Sequence, residues 1–143
     1  MNAKMKLVTL LLLVTMVGCG MGRKVLPEDI MGKEWTLQKC EVSGKEVAMG
    51  HEAPVLMFND TVKIAGSTGC NRIIGDYKLH GDSLTVNIIG TTRMACPDMD
   101  FEYNYLNVMK FPMKIIVTDK GTVMELENNE QLIKLIYKVS EKR

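Results

Sequence analysis

The chain has 143 residues and a formal charge of +1, with 24% charged and 46% hydrophobic residues. That length fits one domain, and the apolar content is too high for a largely disordered chain. The even charge balance argues against a nucleic-acid partner, because no basic excess is present to neutralise phosphates.

Lys4 and Lys6 precede an uncharged run from Leu7 to Val17. A positive segment followed by an apolar one is the layout of a secretory signal. The run is shorter than the about 20 apolar residues that span a bilayer. It ends Met16-Val17-Gly18-Cys19. Met16 is a poor −3 residue for ordinary signal peptidase, whereas Gly18-Cys19 resembles a bacterial lipobox, which implies cleavage before Cys19 and acylation of that cysteine. An apolar helix with an incidental cysteine is the alternative. Several acyl chains, at about 0.8 kcal/mol per buried CH₂, anchor a protein stably. The expected division is a lipoprotein signal peptide over 1–18, a lipidated tether over 19–29 and one domain over 30–143. The expected location is the cell envelope. Gly20, standing where an aspartate would retain the protein under the enterobacterial sorting rule, favours the outer membrane.

Beyond the glycine- and proline-bearing tether, short strands dominate. Trp35 to Val42 alternates as a half-buried strand does, and Ser43-Gly44-Lys45 turns the chain. Val55 to Phe58 is apolar and is stopped by Asn59-Asp60, after which Val62 to Ala65 alternates again. Gly66-Ser67-Thr68-Gly69 reads as a bend leading into Cys70. Ile73 to Leu79 and Ser83 to Ile89 form a predicted hairpin around His80-Gly81-Asp82. Thr91 to Ala95 is a further predicted extended piece. Asp98 to Lys110 departs from this rhythm: Phe101, Tyr105 and Val108 recur at helical spacing, with Pro97 at the entrance and Pro112 past the exit. Acids lie in its first turns and Lys110 in its last, matching the helix dipole. Three more strands are predicted at Lys114–Thr118, Thr122–Glu127 and Gln131–Val139. The fold class is therefore α+β, mainly antiparallel β, with a curved sheet or open barrel and one helix packed across it.

With Cys19 assigned to lipid, Cys40, Cys70 and Cys96 remain in an oxidising compartment. Cys70 and Cys96 each stand at a strand end beside a bend and are the disulfide candidates, with Cys40 left over. The alternative is three reduced cysteines packed as small hydrophobes. Metal ligation is not expected: no Cys-x-x-Cys occurs, and His51 and His80 stand apart in turn-like contexts. No catalytic residues are assigned, because no serine sits in a nucleophile-elbow context and no cysteine has a patterned histidine base. The Gly66–Gly69 bend lacks the lysine and the strand-to-helix context of a phosphate loop, so no cofactor is expected. Asn71, Arg72 and Arg93 follow bends and form a candidate recognition patch; the competing reading is structural, with Asn71 bonding its own backbone at the bend and the arginine stems packing along the sheet.

Gly69-Cys70-Asn71-Arg72, Gly75-Asp76-Tyr77, Gly81-Asp82-Ser83-Leu84 and Thr91-Thr92-Arg93-Met94-Ala95-Cys96-Pro97 together resemble the META domain family, the family of the heat-shock-associated HslJ proteins. Trp35-Thr36-Leu37 fits its opening strand, and the resemblance covers about residues 30 to 138. It implies a small antiparallel β fold with a packed helix, frequent occurrence as a bacterial lipoprotein, and no enzymatic activity. It also implies associations with stress response, novobiocin resistance, secretion or motility, and a fold similar to that of secretin pilotins. Cys40 is not part of the pattern.

The leading expectation is thus a non-enzymatic envelope lipoprotein, a binding or assembly module for an envelope protein or lipid ligand, held to the membrane through Cys19. A pilotin-like carrier holding an acyl chain or partner peptide in its curved sheet is the second, on the apolar set Leu56, Phe58, Ile73, Ile88, Met109 and Ile116. A redox protein using Cys70 or Cys96 is the third.

Overall fold

A computed structural model describes residues 23–140; the lipidation expected at Cys19 lies outside the described residues. The elements in chain order are a helical turn α1 (Pro27–Ile30), strands β1 (Glu34–Val42), β2 (Lys45–Glu46), β3 (Val55–Phe58), β4 (Lys63–Ser67), β5 (Arg72–His80) and β6 (Ser83–Thr91), helix α2 (Met99–Val108), and strands β7 (Met113–Thr118), β8 (Val123–Asn128) and β9 (Ile133–Val139). All strand pairings are antiparallel. Sheet order is β2-β1-β3-β4-β5-β6-β7-β8-β9, and β9 returns to pair with β1. The sheet is therefore ring-like, as a curved sheet was expected to be. It falls short of a barrel at one seam, where β6 and β7 share only Ser83↔Lys114 and Leu84↔Met113. Helix α2 covers that opening.

Local sequence accounts for the curvature. In β1 the buried residues are Trp35, Leu37 and Cys40, a spacing of two and then three. A strand keeps period two, so one residue must be extra, and the pairing with β9 shifts between Leu37 and Lys39. A second shift opposite Ile74 and Gly75 leaves Ile89 of β6 unpaired. Such bulges bend a strand and raise its twist. Gly75 permits a close approach, since a Cβ there would overlap the carbonyl oxygen of Asn87. Ser43 and Gly44 both adopt positive φ, 52° and 73°, which is the turn geometry that a right-twisted two-residue hairpin requires.

The ring is filled by side chains. Trp35, Tyr77, Tyr105, Tyr137, Phe58 and Met109 are among its largest fully buried residues. Their polar atoms are matched: Trp35 Nε1 donates to the Ile30 carbonyl at 2.9 Å, and Tyr77 Oη donates to the Asp60 carbonyl at 2.6 Å. Helix α2 buries Phe101, Glu102, Tyr105 and Val108, and Tyr105 Oη meets Tyr137 Oη at 2.9 Å beneath it. Burial raises the Tyr105 and Tyr137 hydroxyls above the ordinary tyrosine range.

Three expectations need correction. Residues 25–29 are not a free tether: Val25 is buried, Pro27–Ile30 forms a helical turn, and Ile30 joins the core. Gly66 and Ser67 belong to β4 rather than to a bend, because they pair with Leu56 and Val55. Thr92–Ala95 is not a strand: the Thr92 N–H still donates to the Arg72 carbonyl, but beyond it a side chain takes the Met94 N–H and C=O in place of a ladder.

Candidate functional site

That side chain is Asn71. It lies between Cys70 and the start of β5 and is 2% exposed. Its Oδ1 accepts from the Met94 N–H at 2.7 Å and from Thr92 Oγ1 at 2.8 Å. Its Nδ2 donates to the Met94 carbonyl at 3.2 Å and to the Glu102 carboxylate at 3.0 Å. Its backbone is fixed from the other side by Thr68, whose N–H donates to the Asn71 carbonyl at 2.8 Å and whose Oγ1 accepts the Asn71 N–H at 2.9 Å. One amide thus ties β5, the 92–96 loop and α2 together. Glu102 is itself buried, with the Asn71 amide as its side-chain partner.

Cys70 and Cys96 form a disulfide beside this amide, with Cα atoms 6.1 Å apart. That separation is ordinary for a bridge. It closes the same loop that Asn71 holds, so covalent and hydrogen-bonded ties converge on one place. Cys40 is the free cysteine among the described residues, and it is buried. Burial pushes its thiol up to about 11, which keeps it protonated and unreactive at neutral pH.

Asn71, Arg72 and Arg93 do not form one surface. Asn71 is an internal tie, while Arg72 and Arg93 are exposed. Thr68, Thr92 and Glu102 belong to the cluster although the sequence reading did not single them out. Glu102 had a detectable signal: it falls with Tyr105 and Met109 on the apolar stripe of α2, where an unpaired acid is out of place. Among the described residues, no three His, Cys, Asp or Glu side chains converge as metal ligands would.

Two concave regions adjoin α2. A crevice of about 320 Å³ lies over the disulfide, lined among others by His51, Asp98 and Glu102; the His51 N–H donates to Asp98 Oδ2 at 3.0 Å. A larger groove of about 610 Å³ runs between β6 and α2. Thr85, Val86, Asn87 and Ile88 form one wall, and Tyr103, Leu106, Met109 and Lys110 lie on the other side. Of the apolar set proposed to enclose a ligand, Leu56, Phe58 and Ile73 are packed in the core, and Ile88 and Met109 reach the groove.

A META domain model matches residues 28–138, so the chain belongs to the META domain family. Among solved structures, it is similar to an NMR structure of a protein from Burkholderia xenovorans, with a TM-score of 0.67 and 23% identity over 81% of this chain and 87% of that one. A second NMR structure of a protein gives a TM-score of 0.58 and 28% identity over 80% of this chain and 95% of the other. No curated protein matches.

Proposed function

We propose that the protein is a non-enzymatic envelope lipoprotein. Acylated Cys19 holds its META domain to the membrane, in the outer membrane by the Gly20 rule, and the domain acts as a binding or assembly module in envelope homeostasis or stress response. The observation that carries this reading is the Gly18-Cys19 junction closing an uncharged run, with the folded domain already begun at Val25. The Cys70–Cys96 bridge agrees with an oxidising compartment. Two thiols committed to that bridge and a third held protonated by burial favour binding over cysteine chemistry. Metabolic labelling with palmitate tests the anchor. The wild type is expected to label and to sediment with membranes, and Cys19→Ala to do neither. Labelled Cys19→Ala protein would refute the assignment.

A further inference from the structure

Beyond the seam with β7, the β6 edge has no strand partner among the described residues and lies beneath α2; the groove runs along it, with Val86 on its floor only 4% exposed. The Ile115 N–H donates to the Asp82 carbonyl at 2.8 Å. Antiparallel residues alternate in the edge to which they present N–H and C=O. Asp82, Leu84, Val86 and Ile88 therefore all face the β7 side. The ladder with β7 ends at Leu84↔Met113. Val86 and Ile88 consequently have no main-chain partner on that edge among the described residues, although β5 pairs β6 along its other edge through to Thr91. The bulge at Ile89 interrupts β6 beyond this stretch, and α2 lies across the gap with no main-chain bond to the strand edge among the described residues.

The groove's side chains suit the same occupant. Its floor reaches the core at Val86 and Met109, and Tyr103 stands 69% exposed on its rim. A smaller hollow lined by Ile88, Ile89, Gly90, Thr91 and Arg93 continues along β6. Lys110 lines the groove and Arg93 the smaller hollow, and no carboxylate is among the residues lining either.

We propose that β6 is a docking edge for an extended peptide segment of a partner protein, apolar at alternate positions and flanked by acidic residues. The peptide's main chain bonds to Val86 and Ile88, its alternate side chains enter the groove against Leu106 and Met109, and its flanking carboxylates meet Lys110 and Arg93. Strand addition of this kind takes affinity from main-chain bonds and specificity from the pockets beside them. An unpaired edge also explains these basic residues, since charge at an edge discourages indiscriminate pairing while admitting a complementary partner. This deepens the binding-module reading and rests on it, but not on the lipid anchor.

The test uses the full chain, held in lipid nanodiscs if acylated, and a fluorescein-labelled peptide Glu-Val-Thr-Val-Thr-Val-Glu. Binding is read by anisotropy, and hydrogen exchange is read at β6. The expected result is saturable binding that slows exchange at Val86 and Ile88. Two N-methylated peptides, one blocked at the valines and one at the threonines, separate strand addition from simple apolar contact. Only alternate residues of an added strand bond to the edge, so one peptide should lose at least tenfold in affinity while the other keeps it. The double variant Arg93→Glu/Lys110→Glu, at two exposed positions, should weaken the acidic peptide about tenfold and favour one flanked by lysines. Absence of binding up to about 1 mM peptide by a folded protein would overturn the proposal. Equal effects of the two methylation patterns would also overturn it, as would laurate occupying the groove while the peptide does not. Palmitate labelling is independent of all these readouts, so loss of the anchor and loss of the docking edge are distinguishable.

Discussion

Replacing Asn71 by alanine is the most informative perturbation of the cluster. It removes the side-chain hydrogen bonds of the amide: two with Met94, one with Thr92, those to both Glu102 carboxylate oxygens and a weak one to Cys70 Sγ. They do not weigh equally. Met94 is 56% exposed, so water can replace much of what its backbone loses. Those contacts and that with Thr92 contribute at the low end of the about 0.5–1.5 kcal/mol of an ordinary bond. Glu102 is 6% exposed and keeps no donor when the amide is gone. A buried group left unsatisfied costs about 1–3 kcal/mol, more if charged. The expected total is about 2–4 kcal/mol, a large share of the 5–15 kcal/mol typical of a domain. Urea unfolding followed by Trp35 fluorescence measures it. Glu102→Gln should cost less, since an amide oxygen still accepts from Asn71. Adding Asn71→Ala to Glu102→Leu should then cost less than the single change costs in the wild type, because no buried carboxylate remains to be orphaned. A single Asn71→Ala variant within about 0.5 kcal/mol of wild type would refute the assignment of Asn71 as the structural tie.

Four further outcomes are expected. Reducing Cys70–Cys96, which spans a sequence separation of 26, should destabilise the domain by no more than about 3.5 kcal/mol of loop entropy, checked by paired denaturation curves with and without reductant. In the unreduced protein Cys40 should alkylate only after unfolding, as mass spectrometry would register. Tyr137→Phe should cost about 1 kcal/mol by orphaning the Tyr105 hydroxyl, and Tyr105→Phe less, because Tyr137 Oη still donates to Met109 Sδ; the double variant should cost less than the sum of the two in a thermal melt. Stability should decline in alkali. Folding raises the pKa of Cys40 from 9.0 to about 11 and raises those of both tyrosines, so the folded state holds protons that the unfolded chain releases. The Cys40 contribution is complete below about pH 9 and is lost as pH rises towards 11; a flat stability profile over that window would contradict the burial argument.

Much of the fold was legible because its signals are local. Period-two alternation marked β1 and β4, an apolar run marked β3, polar turn residues divided the strands, and the Phe101–Tyr105–Val108 spacing marked α2. The bridge was legible from two cysteines at comparable bends in a chain whose N-terminus reads as an export signal. What stayed hidden depends on partners distant in sequence. Thr92–Ala95 looks extended, yet beyond the Thr92 N–H bond to Arg72 it is Asn71, more than twenty residues earlier, that takes the Met94 N–H and C=O and ends the ladder. Asn71 and Arg72 look alike as polar residues after a bend, and only the placement of α2 over the ring makes the first internal and leaves the second in water. Closure of β9 onto β1, and the failure of β6 to stay with β7, decide where the sheet has an edge. A strand's sequence encodes which residues face inward, but its main-chain donors and acceptors are the same at every residue. Whether they are paired or open is set by the neighbouring strand, which only the assembled tertiary structure provides.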